Sequence, residues 1–237
     1  MAKGYLLYEG KAKKIFGTDD ENVYLVEYKN DATAFNGAKK GQIENKGFLN
    51  NKISALFFKL LKQNGIDNHF IDSISDNEQL IRKVDIVKVE VVVRNVATGS
   101  FAKRLGFADG TELSRPIVEF YYKDDALNDP FINEDHIAIL ELASPAQVQQ
   151  MKQLGLKVNE VLSKFMNEIG ILLVDFKLEF GITSAGELLL ADEISPDTCR
   201  FWDMKTMEKL DKDRFRQDLG GVSEAYQEIL RRMEAKL

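Results

Sequence analysis

Leu172-Leu173-Val174-Asp175-Phe176-Lys177-Leu178-Glu179-Phe180-Gly181 alternates apolar and charged residues, and alternation at period two marks a β-strand with one wet face. The even-numbered Leu172, Val174, Phe176, Leu178 and Phe180 are expected to face a core, which lines up Asp175, Lys177 and Glu179 on the opposite face. A second apolar run over residues 188–194 follows the turn-forming Thr183-Ser184-Ala185-Gly186, so a hairpin is expected. Loop parity decides which charges meet: a loop of two or four residues puts Glu179 and Asp192 on one face, whereas three or five send Asp192 to the other. The even loop is expected. Glu179 and Asp192 would then offer oxygen ligands from adjacent strands, the way Mg²⁺ is held when nucleotide phosphates and water complete its octahedron. Lys177 between them could grip an anion. A solvated amphipathic hairpin with cross-strand ion pairs fits the same pattern.

The 237 residues suit one large domain or two lobes sharing a cleft. Apolar content of 44% and charged content of 30% are ordinary for a soluble globular chain. No apolar run approaches the roughly 20 residues that span a bilayer, and Met1-Ala2-Lys3-Gly4 lacks a signal-peptide core. With Cys199 as the single cysteine, no intramolecular disulfide can form, so a cytoplasmic location is expected. The net charge of −6 argues against broad nucleic-acid binding. Only His69 and His136 are present, which excludes histidine-rich zinc sites, and neither is assigned a catalytic role.

Short strands are expected at residues 5–8, 14–16 and 23–28, then a helix over 44–62 with Gly65 as its stop. A buried strand or strand pair follows at 86–96, with Lys88, Glu90 and Arg94 as its charged exceptions. Ser144-Pro145 opens a helix that runs to Gly170, with Gly155 as a point of kinking. Helical segments near 205–218 and 223–236 close the chain. This order gives an α+β fold rather than regular βαβ alternation, with an N-terminal antiparallel sheet and a cleft between lobes at 1–83 and 84–237.

Three further segments carry chemistry. Glu9-Gly10-Lys11-Ala12-Lys13-Lys14 places a glycine and three lysines in a bend between strands, where backbone N–H groups and ammonium heads can clamp phosphates. Its spacing matches neither the Walker nor the kinase glycine pattern, and a basic surface hairpin is the plainer reading. Arg94-Asn95-Val96-Ala97-Thr98-Gly99-Ser100 runs from a strand to a short helix ending at Gly106. With Ser100 as its N-cap, that helix could bind phosphate or carboxylate beside Arg94. Asp192-Glu193-Ile194-Ser195-Pro196-Asp197-Thr198-Cys199-Arg200 brings Arg200 near Asp192, as a salt-bridge partner or an anion clamp. Cys199 reads as a small buried filler.

Taken in order, Glu9 to Lys13, Val93 to Ser100, Asp175 to Gly181 and Asp192 to Asp197 resemble the phosphoribosylaminoimidazole-succinocarboxamide synthases (SAICAR synthetases). The resemblance extends to Asp31-Ala32-Thr33-Ala34-Phe35-Asn36-Gly37 and Phe215-Arg216-Gln217-Asp218-Leu219-Gly220-Gly221, so it spans nearly the whole chain. It implies an architecture similar to ATP-grasp enzymes and kinases, and an ATP- and Mg²⁺-dependent ligase of purine biosynthesis. Such an enzyme joins L-aspartate to carboxyaminoimidazole ribonucleotide, through an acyl phosphate, giving the succinocarboxamide, ADP and phosphate. Residue by residue, it implies that Lys11, Ala12 and Lys13 cradle the ATP phosphates, with Lys123 and Asp129 as further nucleotide-side candidates. Glu179 and Asp192 are implied as Mg²⁺ ligands, and Arg94, Ser100 and Arg200 as holding the ribonucleotide. Asp175 and Lys177 are implied at the reacting atoms, and a homodimer as the assembly. Two rivals share these residues: a kinase-like phosphotransferase, for which no His-Arg-Asp or Asp-Phe-Gly segment exists, and a non-catalytic nucleotide sensor.

Overall fold

The computed structural model describes residues 2–34 and 37–237, so Phe35 and Asn36 of the resembling segment lie outside the described residues. The chain opens with β1 (Leu6–Glu9), β2 (Lys13–Gly17) and β3 (Val23–Tyr28), then the hairpin of β4 (Asp31–Ala34) and β5 (Lys39–Gln42). Helix α1 (Lys46–Gln63), β6 (Phe70–Ser73) and β7 (Glu78–Arg82) follow. Next come β8 (Asp85–Ile86), β9 (Val89–Ala97), α2 (Gly99–Leu105), β10 (Thr111–Tyr122), β11 (Phe131–Ile132), α3 (Glu134–Ile139) and α4 (Pro145–Glu168). The chain closes with β12 (Ile171–Ile182), β13 (Leu188–Ala191), β14 (Cys199–Asp203), α5 (Asp213–Arg216) and α6 (Val222–Glu234). Strands β1-β2-β3-β7-β6 form one antiparallel sheet, and β11-β10-β9-β12-β13 form a second that β8 and β14 extend by pairing with β12. Antiparallel sheets with helices set against them make the expected α+β arrangement.

The main core lies between the second sheet and helices α1, α4 and α6. Phe57 and Phe58 of α1, Met151 and Leu162 of α4, Val91 and Val93 of β9, and Ile229 and Met233 of α6 are all buried there. Helix α4 begins at the expected Ser144, whose Oγ accepts from Gln147 N while Gln147 Oε1 accepts from Ser144 N, a reciprocal capping box. Gly155 does not interrupt it. A Cβ at that position would stand 3.3 Å from Val93 Cγ2 and 3.4 Å from Val91 Cγ1, so the bare glycine lets the helix lie close against β9.

Strict alternation along β12 fails at one point. Between Leu173 and Asp175 the register against β14 shifts, pairing Leu173 with Phe201 but Asp175 with Arg200. Such a bulge puts two consecutive residues on one face and flips the parity beyond it. Ile171 and Leu173 therefore join the main core with Phe176, Leu178 and Phe180, while Val174, expected in that core, packs with Val96 and Trp202 on the other side, with Leu172 against them. The bulge lets Asp175, Lys177 and Glu179 share a face without exposing the apolar residues before them.

Other expectations are corrected. Residues 205–218 form turns with only the four-residue α5: Asp203 and Asp211 carboxylates capture the N–H groups of Lys205, Thr206 and Asp213, which competes with helical bonding. Helix α2 starts at Gly99, so its N-cap position is Thr98 and Ser100 lies inside its first turn. Thr98 Oγ1 donates instead to Asp109 Oδ1 at 2.6 Å.

Candidate active site

A cavity of about 630 Å³ opens between the β1–β2 bend, the face of β12 and the segment after β13. Lys11, Ala12, Lys13, Lys123, Asp129, Lys177, Glu179 and Asp192 all line it, from widely separated stretches of sequence. A larger cavity of about 870 Å³, bordered by Tyr28, Asp31, Asn45, Asp76 and Arg231, contains Asp31 of one resembling motif but none of the residues expected to bind nucleotide, metal or ribonucleotide. The smaller one therefore concentrates the chemistry.

The smaller cavity is organised by lysine–carboxylate pairs. Lys123 Nζ lies 2.8 Å from Glu179 Oε1, and Lys177 bonds the same oxygen while reaching Glu90 Oε1 at 2.9 Å. Lys13 contacts Asp192 and stands 3.0 Å from Glu193 Oε1. Burial alone would strip charge from these lysines, but the fields of Glu179 and Glu90 on Lys177, of Glu179 on Lys123, and of Asp192 and Glu193 on Lys13 hold each above its ordinary pKa. Burial likewise opposes ionisation of Asp192, yet Lys13, Lys177 and Lys123 keep it well below the usual carboxylate range. Burial raises the Glu90 carboxyl despite Lys177. At neutral pH the cavity thus presents charged ammonium groups beside an ionised Asp192.

Asp192 arrives by an unexpected route. Glu179 pairs with Ala191 and Ile182 with Leu188, leaving the odd five-residue loop 183–187 in place of the expected even one. In that register Asp192 falls opposite Leu178, on the wrong face. The strand, however, ends at Ala191, and Asp192 takes a left-handed φ of 61°. Aspartate tolerates this conformation better than most residues, and the turn swings its carboxylate to Lys13 beside Glu179.

Four residues back along β12 stands an arginine cluster. Asp175 does not line the cavity; it is 4% exposed and bridges two guanidinium groups. Arg94 Nη1 donates to Asp175 Oδ2 at 2.6 Å, and its Nε donates to Glu119 Oε2 at 2.8 Å. Arg200 Nη1 donates to Asp175 Oδ2 at 2.8 Å and its Nε to Asp213 Oδ2 at 2.9 Å. Gly99, with φ of 58°, sits where a Cβ would come within 3.0 Å of Arg200 Nη2, so that edge of the guanidinium faces the start of α2. Ser100, exposed, is its neighbour there.

Sequence reading missed several participants. Glu90 shares the face of Arg94 at even spacing along β9, and that parity could have exposed it. Asp125, 2.6 Å from Lys11, and the buried Lys46–Asp197 pair at 2.9 Å join segments with no local pattern between them. Asp197 also accepts from Tyr226 Oη at 2.8 Å and meets Lys212 at 3.1 Å, tying α1, α6 and the loop before β14 together. Among the described residues no group of three or more histidine, cysteine, aspartate or glutamate side chains is arranged to hold a metal by protein ligands alone.

Known proteins resemble this chain over nearly its whole length. The family model for SAICAR synthetase matches residues 6–233. The phosphoribosylaminoimidazole-succinocarboxamide synthase of Desulfitobacterium hafniense is 58% identical over 237 residues, covering 100% of this chain and 99% of that protein. The enzyme of the same name from Bacillus subtilis is 60% identical over 233 residues, covering 98% and 97%. The crystal structure of the Ehrlichia chaffeensis synthase superposes with a TM-score of 0.95 at 46% identity, covering 98% of this chain and 99% of that one. A SAICAR synthetase in complex with ADP does so with a TM-score of 0.93 at 51% identity, covering 97% of each. With matches of this extent and a fold in agreement, the chain belongs to the SAICAR synthetase family.

Proposed function

We propose that this protein catalyses the ATP-dependent ligation of L-aspartate to carboxyaminoimidazole ribonucleotide, giving the succinocarboxamide, ADP and phosphate in purine biosynthesis. The observation that carries this reading is the single face of β12. Glu179 and Lys177 open onto the lysine-lined cavity, and Asp175, roughly 7 Å further along at two residues per pleat, holds Arg94 and Arg200. A nucleotide anion and a substrate anion can thus be gripped side by side. A relative solved in complex with ADP supports an adenine nucleotide as ligand. The site belongs between two lobes, 1–83 and 84–237, in an enzyme expected to be cytoplasmic and homodimeric. Among the described residues no helix is long and apolar enough to cross a membrane.

ATP fits the cavity by charge. Lys11, Ala12 and Lys13 line it together with Lys123 and Asp129, the two segments meeting where Lys11 Nζ lies 2.6 Å from Asp125 Oδ1. The donor set also suits Mg²⁺: Glu179 and Asp192 supply hard carboxylate oxygens from two adjacent segments, fewer than a protein-only cage but enough beside nucleotide phosphates. Bound there, Mg²⁺ would offset charge on the transferring phosphoryl group. The lysines that now neutralise Glu179 and Asp192 would turn toward phosphate oxygens.

A carboxylate acylates poorly at neutral pH, so phosphorylation by ATP, with ADP leaving, would give an acyl phosphate that the aspartate amine attacks, expelling phosphate. Lys177, held charged by Glu179 and Glu90, is placed to donate hydrogen bonds to the phosphoryl oxygens as charge builds. Asp175, which accepts from both arginines, serves to aim them. Arg200, Arg94 and Ser100 fix the ribonucleotide so that the two reactions share one geometry.

The test is ADP release with ATP, Mg²⁺ and carboxyaminoimidazole ribonucleotide, with and without L-aspartate, alongside mass detection of product. Aspartate-dependent succinocarboxamide is the expected result. ADP with a phosphorylated substrate and no aspartate incorporated would replace this reading with a phosphotransferase.

A further inference from the structure

The strand register sends Asp192 away from the cavity, and its left-handed backbone brings it back. Such a conformation costs about 1 kcal/mol or more in a residue other than glycine and persists only where neighbours enforce it. His69 supplies the enforcement. Its backbone N–H donates to Leu190 O at 2.9 Å, and its imidazole Nε2 lies 3.1 Å from Asp192 O. A carbonyl oxygen can only accept, so Nε2 carries the proton and Nδ1 is the bare nitrogen. Nδ1 is buried without a hydrogen-bond partner. The ring is 3% exposed and edge-on to Phe58 at 5.3 Å, and Arg82 N donates to His69 O at 2.6 Å. One residue of the first sheet's side thus clamps the carbonyls of both residues flanking Ala191.

We propose that His69 is a positioning residue: its Nε2–H pins the Asp192 carbonyl in the left-handed turn and so aims the Asp192 carboxylate into the cavity as a cation ligand. Without that donor the backbone relaxes toward extended geometry, and the carboxylate follows the register to the opposite face. This inference rests on the proposed role of Asp192 as a Mg²⁺ ligand.

The experiment is calorimetric titration of the full-length protein with ADP, in excess Mg²⁺ and separately in EDTA, with thermal melts to confirm folding. His69→Asn, whose amide is too short to reach, should lose roughly ten- to hundredfold of the Mg²⁺-dependent gain in ADP affinity while matching the unmodified protein in EDTA. His69→Gln, whose Nε2–H reaches where the imidazole donor did, should retain the gain. If His69→Asn fails to fold, His69→Phe takes its place, keeping the ring against Phe58 and dropping the donor. A donor-less variant that keeps the full gain overturns the inference, as does loss by His69→Gln equal to that of His69→Asn. Absence of any Mg²⁺-dependent gain in the unmodified protein would instead remove the metal role of Glu179 and Asp192, and the inference with it.

Discussion

The cavity and the arginine cluster lie on one face of β12, yet they hold charge in opposite ways. In the cavity each cation is a lysine, a compact charge on a flexible stem, resting on carboxylates that a ligand would claim. In the cluster Arg94 and Arg200 are planar forks, each fixed by two carboxylates, with Asp175 shared. Lysine can swing from carboxylate to phosphate at little cost, whereas a guanidinium held at two edges keeps its direction. The difference suits the two tasks proposed for them: the cavity would exchange ATP for ADP and accommodate a moving phosphoryl group, while the cluster would keep the ribonucleotide still.

The sharpest way to break this comparison is at the cavity's carboxylates. Asp192→Asn should lower Mg²⁺-dependent turnover by about a hundredfold or more, with a smaller loss of thermal stability than in the cluster, because the Asp192 side chain is 21% exposed and Lys13 retains Glu193. Steady-state rates at limiting and saturating Mg²⁺ read this, and near-normal activity at limiting Mg²⁺ would show that Asp192 is not a ligand. The cluster should answer differently. Asp213→Asn leaves Arg200 and Arg216 each short of a counter-charge, and breaking so buried a pair costs about 3 kcal/mol. Urea denaturation should show that loss, together with a raised KM for the ribonucleotide and an unchanged KM for ATP. Equal stability losses in the two variants would erase the distinction. A smaller effect is expected from Lys123→Met: a few-fold rise in KM for ATP and no measurable change in melting temperature, since Lys123 is partly exposed and Glu179 keeps Lys177.

The same contrast explains what the sequence disclosed. Lysines and carboxylates of the cavity lie in strands and bends whose periodicity names them, so Lys13, Lys177, Glu179 and Asp192 were legible, as were α1 and α4 from apolar spacing and the Ser144-Pro145 start. Two one-residue events escaped. The bulge at Val174 and the left-handed turn at Asp192 each reverse parity, and the second brings Asp192 to the lysines beside Glu179 although the loop is odd rather than the expected even one. Residues 205–218 looked helical by composition, but side-chain capture of backbone N–H groups by Asp203 and Asp211 depends on β14 lying alongside. Lys46 and Asp197, 151 positions apart, have no local signature at all; only the fold puts them together.

The smallest expected effect concerns acidity beneath the cluster. Asp211, fully buried, accepts from Phe201 N at 2.8 Å and Asp213 N at 2.7 Å. Burial, reinforced by the charge of Asp213, pushes its carboxyl up to about 7 from 3.8. A folded-state value above the unfolded one means that the native protein binds the extra proton between these limits, so stability falls as pH rises toward 7 and levels off beyond it. His69 acts with the opposite sign, because burial lowers it from 6.5 to about 4 and stability therefore rises with pH over that interval. The two slopes offset each other between about pH 5 and 6.5, leaving Asp211 alone above. Urea denaturation in EDTA should thus be nearly flat over the lower interval and lose on the order of 1 kcal/mol between pH 6.5 and 8. In His69→Gln the decline should extend down to pH 5. The arginine cluster then rests on a carboxyl that is half-protonated at physiological pH, whereas the cavity's Asp192 stays ionised across the same range. A stability that rises from pH 6.5 to 8 would mean that Asp211 is ionised throughout, adding a fourth carboxylate to Asp175, Glu119 and Asp213 around Arg94 and Arg200.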